Sequence, residues 1–269
     1  MKKIDILIVS FAPDAEWLTY CLRSLQRYAS GFSKINVVFP NRDDSIMRSI
    51  CINYNANPIG YDEPPPPLGH LSHNIAKTSA DIYCPDATHV VHIDSDCIIT
   101  NYFTPDMLFH NDKPILIRQL YKDVGPAICW KGPAEKALGF ETPYETMRRM
   151  PLIHDINVYP AVRNHIEQVH NMSFSKYVLQ QKPTYPCGFC EFNTIGSFAL
   201  MRMPELYSIA TPPDNNIVEI PIKQLWSHGG VSNDVRQWCE EVINEGYKRE
   251  PPPAMPLTEE RKKLIGGYL

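Results

Sequence analysis

The chain has no apolar run approaching the roughly 20 residues needed to cross a bilayer, which sets the expectation of a soluble, cytoplasmic protein. Residues 1–9 carry Lys2 and Lys3 ahead of an apolar stretch. Asp5 interrupts that stretch and no small-residue cleavage site follows, so a buried first strand is expected rather than a secretion signal. Neither sign of charge dominates: 26 Lys and Arg stand against 30 Asp and Glu, a net −4 with His neutral. Such a chain builds no general basic field for nucleic acid. Only a local track of Arg118, Lys122, Arg148, Arg149 and Arg202 keeps DNA open as a partner. Paired cysteines are scarce. Of the eight, only Cys187 and Cys190 make a CxxC, without a second pair or a His cluster beside it, which argues against zinc and for buried or incidental thiols. Glycine is absent from the turn Phe11-Ala12-Pro13-Asp14, which also lacks Lys and Arg; nucleotidyl-transfer enzymes carry a Gly-rich basic loop there. No repeat and no linker is visible, so one domain is expected over residues 1–249, followed by a Pro-rich, then charged, peripheral tail at 250–269.

What is present alternates. Residues 4–10 read as a continuous apolar strand, of the kind buried on both faces of a parallel sheet. Trp17, Leu18, Cys21, Leu22 and Leu25 recur at helical spacing behind Asp14, a candidate N-cap. Residues 35–39 form a second strand, 45–54 a short helix and 58–61 a third strand. Residues 64–69 are a Pro-rich loop, 71–83 a helix, and 89–93 an apolar strand running into Asp94. This order predicts an α/β fold with a single mixed, mostly parallel sheet flanked by helices and a Rossmann-like amino-terminal half. In the second half a strand is expected at 115–120 and a short helix or turn at 143–150. Helices follow at 159–168, 174–181 and 189–203, then a strand at 217–226 and an amphipathic helix at 231–245. Ligands of such sheets bind beyond the carboxyl ends of the strands, where both the 10–14 turn and Asp94-Ser95-Asp96 fall.

Two carboxylates one residue apart at a strand end suit a hard divalent cation, Mn²⁺ or Mg²⁺, which in turn suits a diphosphate; the structural alternative for Asp94 and Asp96 is a helix cap or loop acid. His228, leaving a strand into Gly229-Gly230, is either a third metal ligand through a neutral ring nitrogen or a histidine bonded to backbone. At the first turn, Ser10, Phe11 and Asp14 can offer backbone, a stacking ring and an acceptor to a nucleotide. Lys77, near Asn74 on the preceding helix, is either a counter-charge for phosphate or a solvated lysine. Glu191 opens a helix, as a first-turn acid or as a general base facing an acceptor hydroxyl. His154-Asp155 is a further polar pair that could face the acceptor.

Together these residues resemble the GT-A fold of nucleotide-sugar-dependent glycosyltransferases. The match rests on the strand, turn and helix from Ile4 to Asp14, on Asp94-Ser95-Asp96, and on a late His after a strand. More narrowly the chain is similar to a bacterial and phage group with a Lys-bearing helix before the Asp-x-Asp strand, here Asn74 to Lys77, and a Ser-Glu-aromatic run opening a later helix. That run is Cys190-Glu191-Phe192 here, with Cys replacing the small hydroxyl residue. The resemblance covers most of residues 4–245. It implies a metal held by Asp96 and His228, with Asp94 nearer the ribose or a metal-bound water. It also implies a nucleoside diphosphate donor, most often a UDP-sugar, bound through Ser10, Phe11, Asp14, Lys77, Asp94, Ser95 and Asp96. Glu191 and Asp94 are the catalytic candidates. The expected acceptor is a saccharide, with a modified DNA base as the phage-like alternative. A nucleotidyltransferase acting on sugar phosphates and a non-catalytic nucleotide-binding module are the competing readings.

Overall fold

Ile4, Ile6 and Ile8 face one side of the first strand, β1 (Ile4–Val9), and Leu7 and Val9 face the other; all are buried, as alternation in a doubly covered strand demands. The computed structural model describes residues 2–62, 68–147, 150–182, 188–214, 217 and 219–257. After β1 come α1 (Ala15–Tyr28), β2 (Ile35–Pro40), α2 (Asp44–Asn53) and β3 (Asn57–Tyr61). Next are α3 (Gly69–Thr78), α4 (Ala80–Tyr83), β4 (His89–His92), β5 (Cys97–Ile99), β6 (Phe109–His110), β7 (Lys113–Ile117) and β8 (Gln119–Leu120). The chain continues through α5 (Lys131–Leu138), β9 (Tyr144–Glu145), β10 (Leu152–Asp155), α6 (Val158–His170) and α7 (Phe174–Leu179). It ends with α8 (Glu191–Arg202), β11 (Ser208–Ala210), β12 (Ile222–Gln224) and α9 (Asn233–Glu245).

Among the described residues the main sheet has five strands in the order β10-β4-β1-β2-β3, parallel except for β10, which runs antiparallel to β4. The α/β class and the mostly parallel sheet are therefore as expected. Ile4, Ile6 and Ile8 join Leu18, Cys21, Leu22 and Leu25 of α1 and Met47 and Cys51 of α2 in one core. Leu7, Val9, Val38 and Val90 meet α3, α6 and α8 in the other. The single acid in β1, Asp5, is buried, and Asn36 Nδ2 donates to its Oδ2 at 3.0 Å. Burial raises the pKa of Asp5.

Several elements differ from expectation. The helix expected over 71–83 breaks at Ser79, whose backbone leaves helical geometry, into α3 and α4. The expected strand at 115–120 divides into β7 and β8. Residues 143–150 are not helical where described: Tyr144 and Glu145 pair with Leu120 and Gln119 as a two-stranded ladder. α8 presses on this ladder at Gly196, where an added Cβ would stand 2.3 Å from Thr146 Oγ1. Among the described residues of the expected strand at 217–226, only β12 is extended in a ladder, paired with the three-residue β5. β5 and β10 were not foreseen. α8 has no solvent face over its first turns: every residue from 191 to 200 is buried. Cys21, Cys51, Cys84, Cys97, Cys190 and Cys239 are buried free thiols, as expected, whereas Cys129 is disulfide-bonded. Residues 250–257 lie against the domain. Lys223 Nζ pairs with Glu250 Oε2 at 3.1 Å, Trp238 Nε1 donates to the Arg249 carbonyl at 2.9 Å, and the Met255 carbonyl would stand 2.3 Å from a Cβ on Gly229. The Cys187 half of the CxxC, the prolines at 64–67, Arg148, Arg149 and residues 258–269 lie outside the described residues. Among the described residues no helix is long and apolar enough to cross a membrane.

Candidate active site

The strand order puts a change of winding direction between β1 and β4: β2 and β3 extend to one side of β1, and the chain then crosses back to lay β4 on the other. The carboxyl ends of those two strands open the crevice where such sheets bind ligands. Asp94 and Asp96 follow β4 there, in a tight turn closed by the Cys97 amide donating to the Asp94 carbonyl at 3.0 Å. Asp94 lines a cleft holding about 1090 Å³, open solvent at its mouth included. Its wall takes one face of α3 (His70, His73, Asn74, Lys77) and the start of α8 (Cys190, Glu191, Phe192). Ala127, Trp130, Glu145, Met147, Met150, Phe189, Gln224 and Trp226 complete it.

Lys77 is the hub. Its Nζ lies 2.9 Å from Asp94 Oδ1 and 3.0 Å from Glu191 Oε1, and sits 4.6 Å over the Phe192 ring. Burial pulls the pKa of this amine down; Asp94 and Glu191 outweigh burial and raise it. Lys77 is thus neither solvated nor unengaged: it ties the β4 turn to the first turn of α8. Asn74 fixes the same junction, Nδ2 donating to the Phe189 carbonyl at 3.0 Å. Cys190, at the N-cap of α8, makes no capping bond through its side chain and rests against Met147 Sδ at 3.2 Å.

Asp96 lies behind Asp94, buried and outside the cleft wall. Its Oδ2 accepts from the Ser227 amide at 2.8 Å and its carbonyl from the Leu225 amide at 3.0 Å. Gln224 Nε2 donates to Asp94 Oδ2 at 3.2 Å and to Asp96 Oδ1 at 3.4 Å, so one oxygen of each aspartate converges on a single point. Burial first, then the Asp94 charge, pushes the Asp96 pKa up to about 7, against the bonds from Ser227 and Gln224. Two carboxylate oxygens that share one partner are the donor chemistry a divalent cation takes, but the Gln224 Nε2 holds the point between them here, so an ion could enter only with that amide turned away. Among the described residues, however, no three His, Cys, Asp or Glu side chains gather closely enough to hold a metal ion. The expected third ligand, His228, is stacked on Trp226, ring centroids 6.3 Å apart, in the 3₁₀ turn Ser227–Gly229.

The other expected residues are distributed around this centre. Phe11 packs edge-on against His73 at 5.3 Å, and His73 lines the cleft. Ser10 is buried, and its Oγ has no hydrogen-bond partner among the described residues. Ala12 donates its amide to Asp43 Oδ2 at 2.9 Å. Asp14 occupies the N-cap position of α1 without a capping bond from its side chain, and is buried close enough to Asp96 to oppose its ionisation. Ser95 is buried within the turn. His154 is in the core of β10, with Nδ1 3.2 Å from the Tyr207 hydroxyl, and does not line the cleft. Sequence reasoning passed over His70, His73, Glu145, Gln224, Trp130 and Trp226. The spacing of His70, His73, Asn74 and Lys77 is that of one helical face and was available as a signal; the others depend on distant packing. Burial pushes the His73 pKa down to about 3, helped by the Lys77 charge. Burial also lowers that of His70, against Glu191. Both rings are therefore neutral hydrogen-bonding walls at physiological pH. No protein-family model matches the chain, and no curated protein matches it.

Proposed function

We propose that the chain is a metal-dependent glycosyltransferase of the GT-A type that moves a sugar from a nucleoside diphosphate donor, a UDP-sugar first, to an acceptor hydroxyl. The observation that carries the reading is the pair of convergent aspartates at the end of β4, one of them in the wall of a cleft that also holds Lys77 and Glu191. Asp94 and Asp96 are the residues that would hold Mn²⁺ or Mg²⁺. Such an ion supplies electrostatic stabilisation to a diphosphate leaving group.

The chain's own residues divide the remaining work. Lys77 keeps the Asp94 and Glu191 carboxylates in register across the cleft floor. Neutral His70 and the amides of Asn74 and Gln224 present hydrogen-bonding edges to a polyhydroxylated ligand. In the transfer, the acceptor oxygen bonds to the anomeric carbon, the bond from that carbon to the donor phosphate oxygen breaks, and the nucleoside diphosphate departs. With inversion the acceptor proton passes to Glu191; with retention it passes to the departing phosphate oxygen and Glu191 orients the sugar instead. A nucleotidyltransferase is disfavoured by Phe11-Ala12-Pro13-Asp14, and a binding module by the sharing of one ammonium between Asp94 and Glu191.

The test is a thermal-shift series of UDP, GDP, ADP and CDP with and without Mn²⁺, followed by turnover of the matching nucleotide sugars. A Mn²⁺-dependent rise in Tm that is lost in Asp94→Ala, with nucleoside diphosphate released, is the expected result. Pyrophosphate as the product would move the chain to nucleotidyl transfer, and indifference to every diphosphate would end the enzymatic reading.

A further inference from the structure

Trp226 is the most strained non-glycine backbone position with a large side chain among the described residues, at φ 56° and ψ 91°, and it is 51% exposed. A left-handed conformation is costly for a bulky residue, and about half of this residue's surface gains nothing from burial. Glycine would adopt the conformation freely, and the chain places two glycines just beyond, Gly229 and Gly230, the latter at φ 81°. The cause of the strain is visible. The Leu225 amide donates to the Asp96 carbonyl at 3.0 Å, the Ser227 amide donates to the Asp96 carboxylate at 2.8 Å, and Leu225 itself is buried. Both neighbours of Trp226 are thus fastened to one residue, and the chain between them has to bow outward. The bow lays the indole on the rim of the cleft, backed by the His228 ring at an interplanar angle of 28°.

The cleft is chemically divided. Asp94, Glu191, Glu145, Asn74, Gln224 and His70 bring polar atoms to its lining; among the aromatic rings that share it with them, Trp130, Phe189, Phe192 and Trp226, the last is the most exposed. Three of those six are acids, and Lys77 is shared between Asp94 and Glu191, so a diphosphate here needs a divalent cation beside it and a second ligand is best uncharged. A ligand with hydroxyls around its edge and C–H bonds on its face, and no charge of its own, is a pyranose ring. We propose that Trp226 is the platform that receives the C–H face of a neutral pyranose, and that Asp96 is the bracket that holds the platform in its strained position. This rests on the glycosyltransferase reading and adds to it the residue that selects the acceptor ring.

The experiment is saturation-transfer NMR on the purified full chain with methyl β-D-glucopyranoside, methyl β-D-galactopyranoside and uridine as separate probes, on wild type and Trp226→Gly. Glycine relieves the backbone strain, so the variant is expected to melt no lower than wild type. Loss of the indole face should weaken glycoside binding by about fivefold to tenfold, with saturation of the ring C–H protons in wild type falling accordingly. Absence of a glycoside signal in wild type, or an equal signal in Trp226→Gly, overturns the proposal. A signal from uridine alone that depends on Trp226 also overturns it, by making the residue a base platform. Thermal shift with UDP and Mn²⁺ on the same samples separates the two readings. An intact UDP response in Trp226→Gly with the glycoside signal lost supports the platform within a transferase. A Trp226-dependent glycoside signal with no nucleoside diphosphate response in wild type keeps the platform and refutes the transferase.

Discussion

Replacing Lys77 with Met tests the centre of the site with little change in side-chain volume. Each of its two carboxylate contacts, at 2.9 and 3.0 Å, corresponds to a gross attraction of about 5–6 kcal/mol at an effective dielectric of ~20. Desolvation of the three ions, several kcal/mol apiece, offsets most of that, so the intact triad gains little over an apolar cluster. Breaking it from one side is a different matter. Asp94 and Glu191, 23% and 9% exposed at their side chains, are left facing each other without a counter-charge. Losing one partner of a buried pair costs about 3–5 kcal/mol, and the partial exposure of Asp94 argues for the lower end, about 3 kcal/mol. Urea denaturation at pH 7.5 is the assay, read as a fall in midpoint at unchanged slope. Lys77→Met with Glu191→Gln removes one of the stranded charges and should recover about half of the loss. A single variant within about 1 kcal/mol of wild type, or a double variant with no recovery, would refute the hub role assigned to Lys77.

Three further outcomes are expected. Glu191→Gln should keep donor-dependent thermal shift while slowing sugar transfer by about 10²-fold or more; transfer at the wild-type rate would reduce Glu191 to a structural acid. His154 should make the protein acid-sensitive. Burial pushes its pKa down to about 3 from an ordinary 6.5, so the unfolded chain binds more protons between those values and stability falls as pH drops below 6.5. The loss from this one ring reaches about 2.5 kcal/mol by pH 4.5, so His154→Gln should flatten the difference in unfolding free energy between pH 7.5 and 4.5 by that amount, and an unchanged slope would contradict the burial argument. Gly229→Ala should drive Met255 off the Ser227–Gly229 turn, since the new Cβ would meet the Met255 carbonyl at 2.3 Å. Faster tryptic cleavage at Arg249 is the readout, and an unaltered digestion pattern would mean that the turn yields instead.

Elements whose pattern is set by their own burial were legible in the sequence. β1 reads as a two-faced strand because both faces are covered. α1 and α9 read as helices because Trp17, Leu18, Cys21, Leu22 and Leu25, and Val235, Trp238, Cys239, Val242 and Ile243, repeat at helical spacing on one face. The place of Asp94 at a strand end was legible because such a strand precedes it, and the structure puts it in the cleft wall. Elements set by partners far along the chain were not. β10 is a four-residue antiparallel strand at the sheet edge, and β9 exists because β8 pairs with it and Gly196 admits it. The same holds within the site. The edge-on packing of Phe11 against His73 was not legible, because that contact is decided by where α3 crosses β1. The conformation of Trp226 depends on bonds to Asp96, 130 residues earlier, and no local propensity carries that information.

One consequence of α8 concerns temperature. Glu191 is borne by a helix whose amides from 193 to 200 have no wet side from which to open, so their hydrogen exchange proceeds through global unfolding instead of fraying. The carboxylate facing the cleft is then as durable as the entire fold. Warming should leave the placement of this carboxylate intact until the melting transition itself, and a local probe at Glu191 and the global loss of structure should follow a single curve.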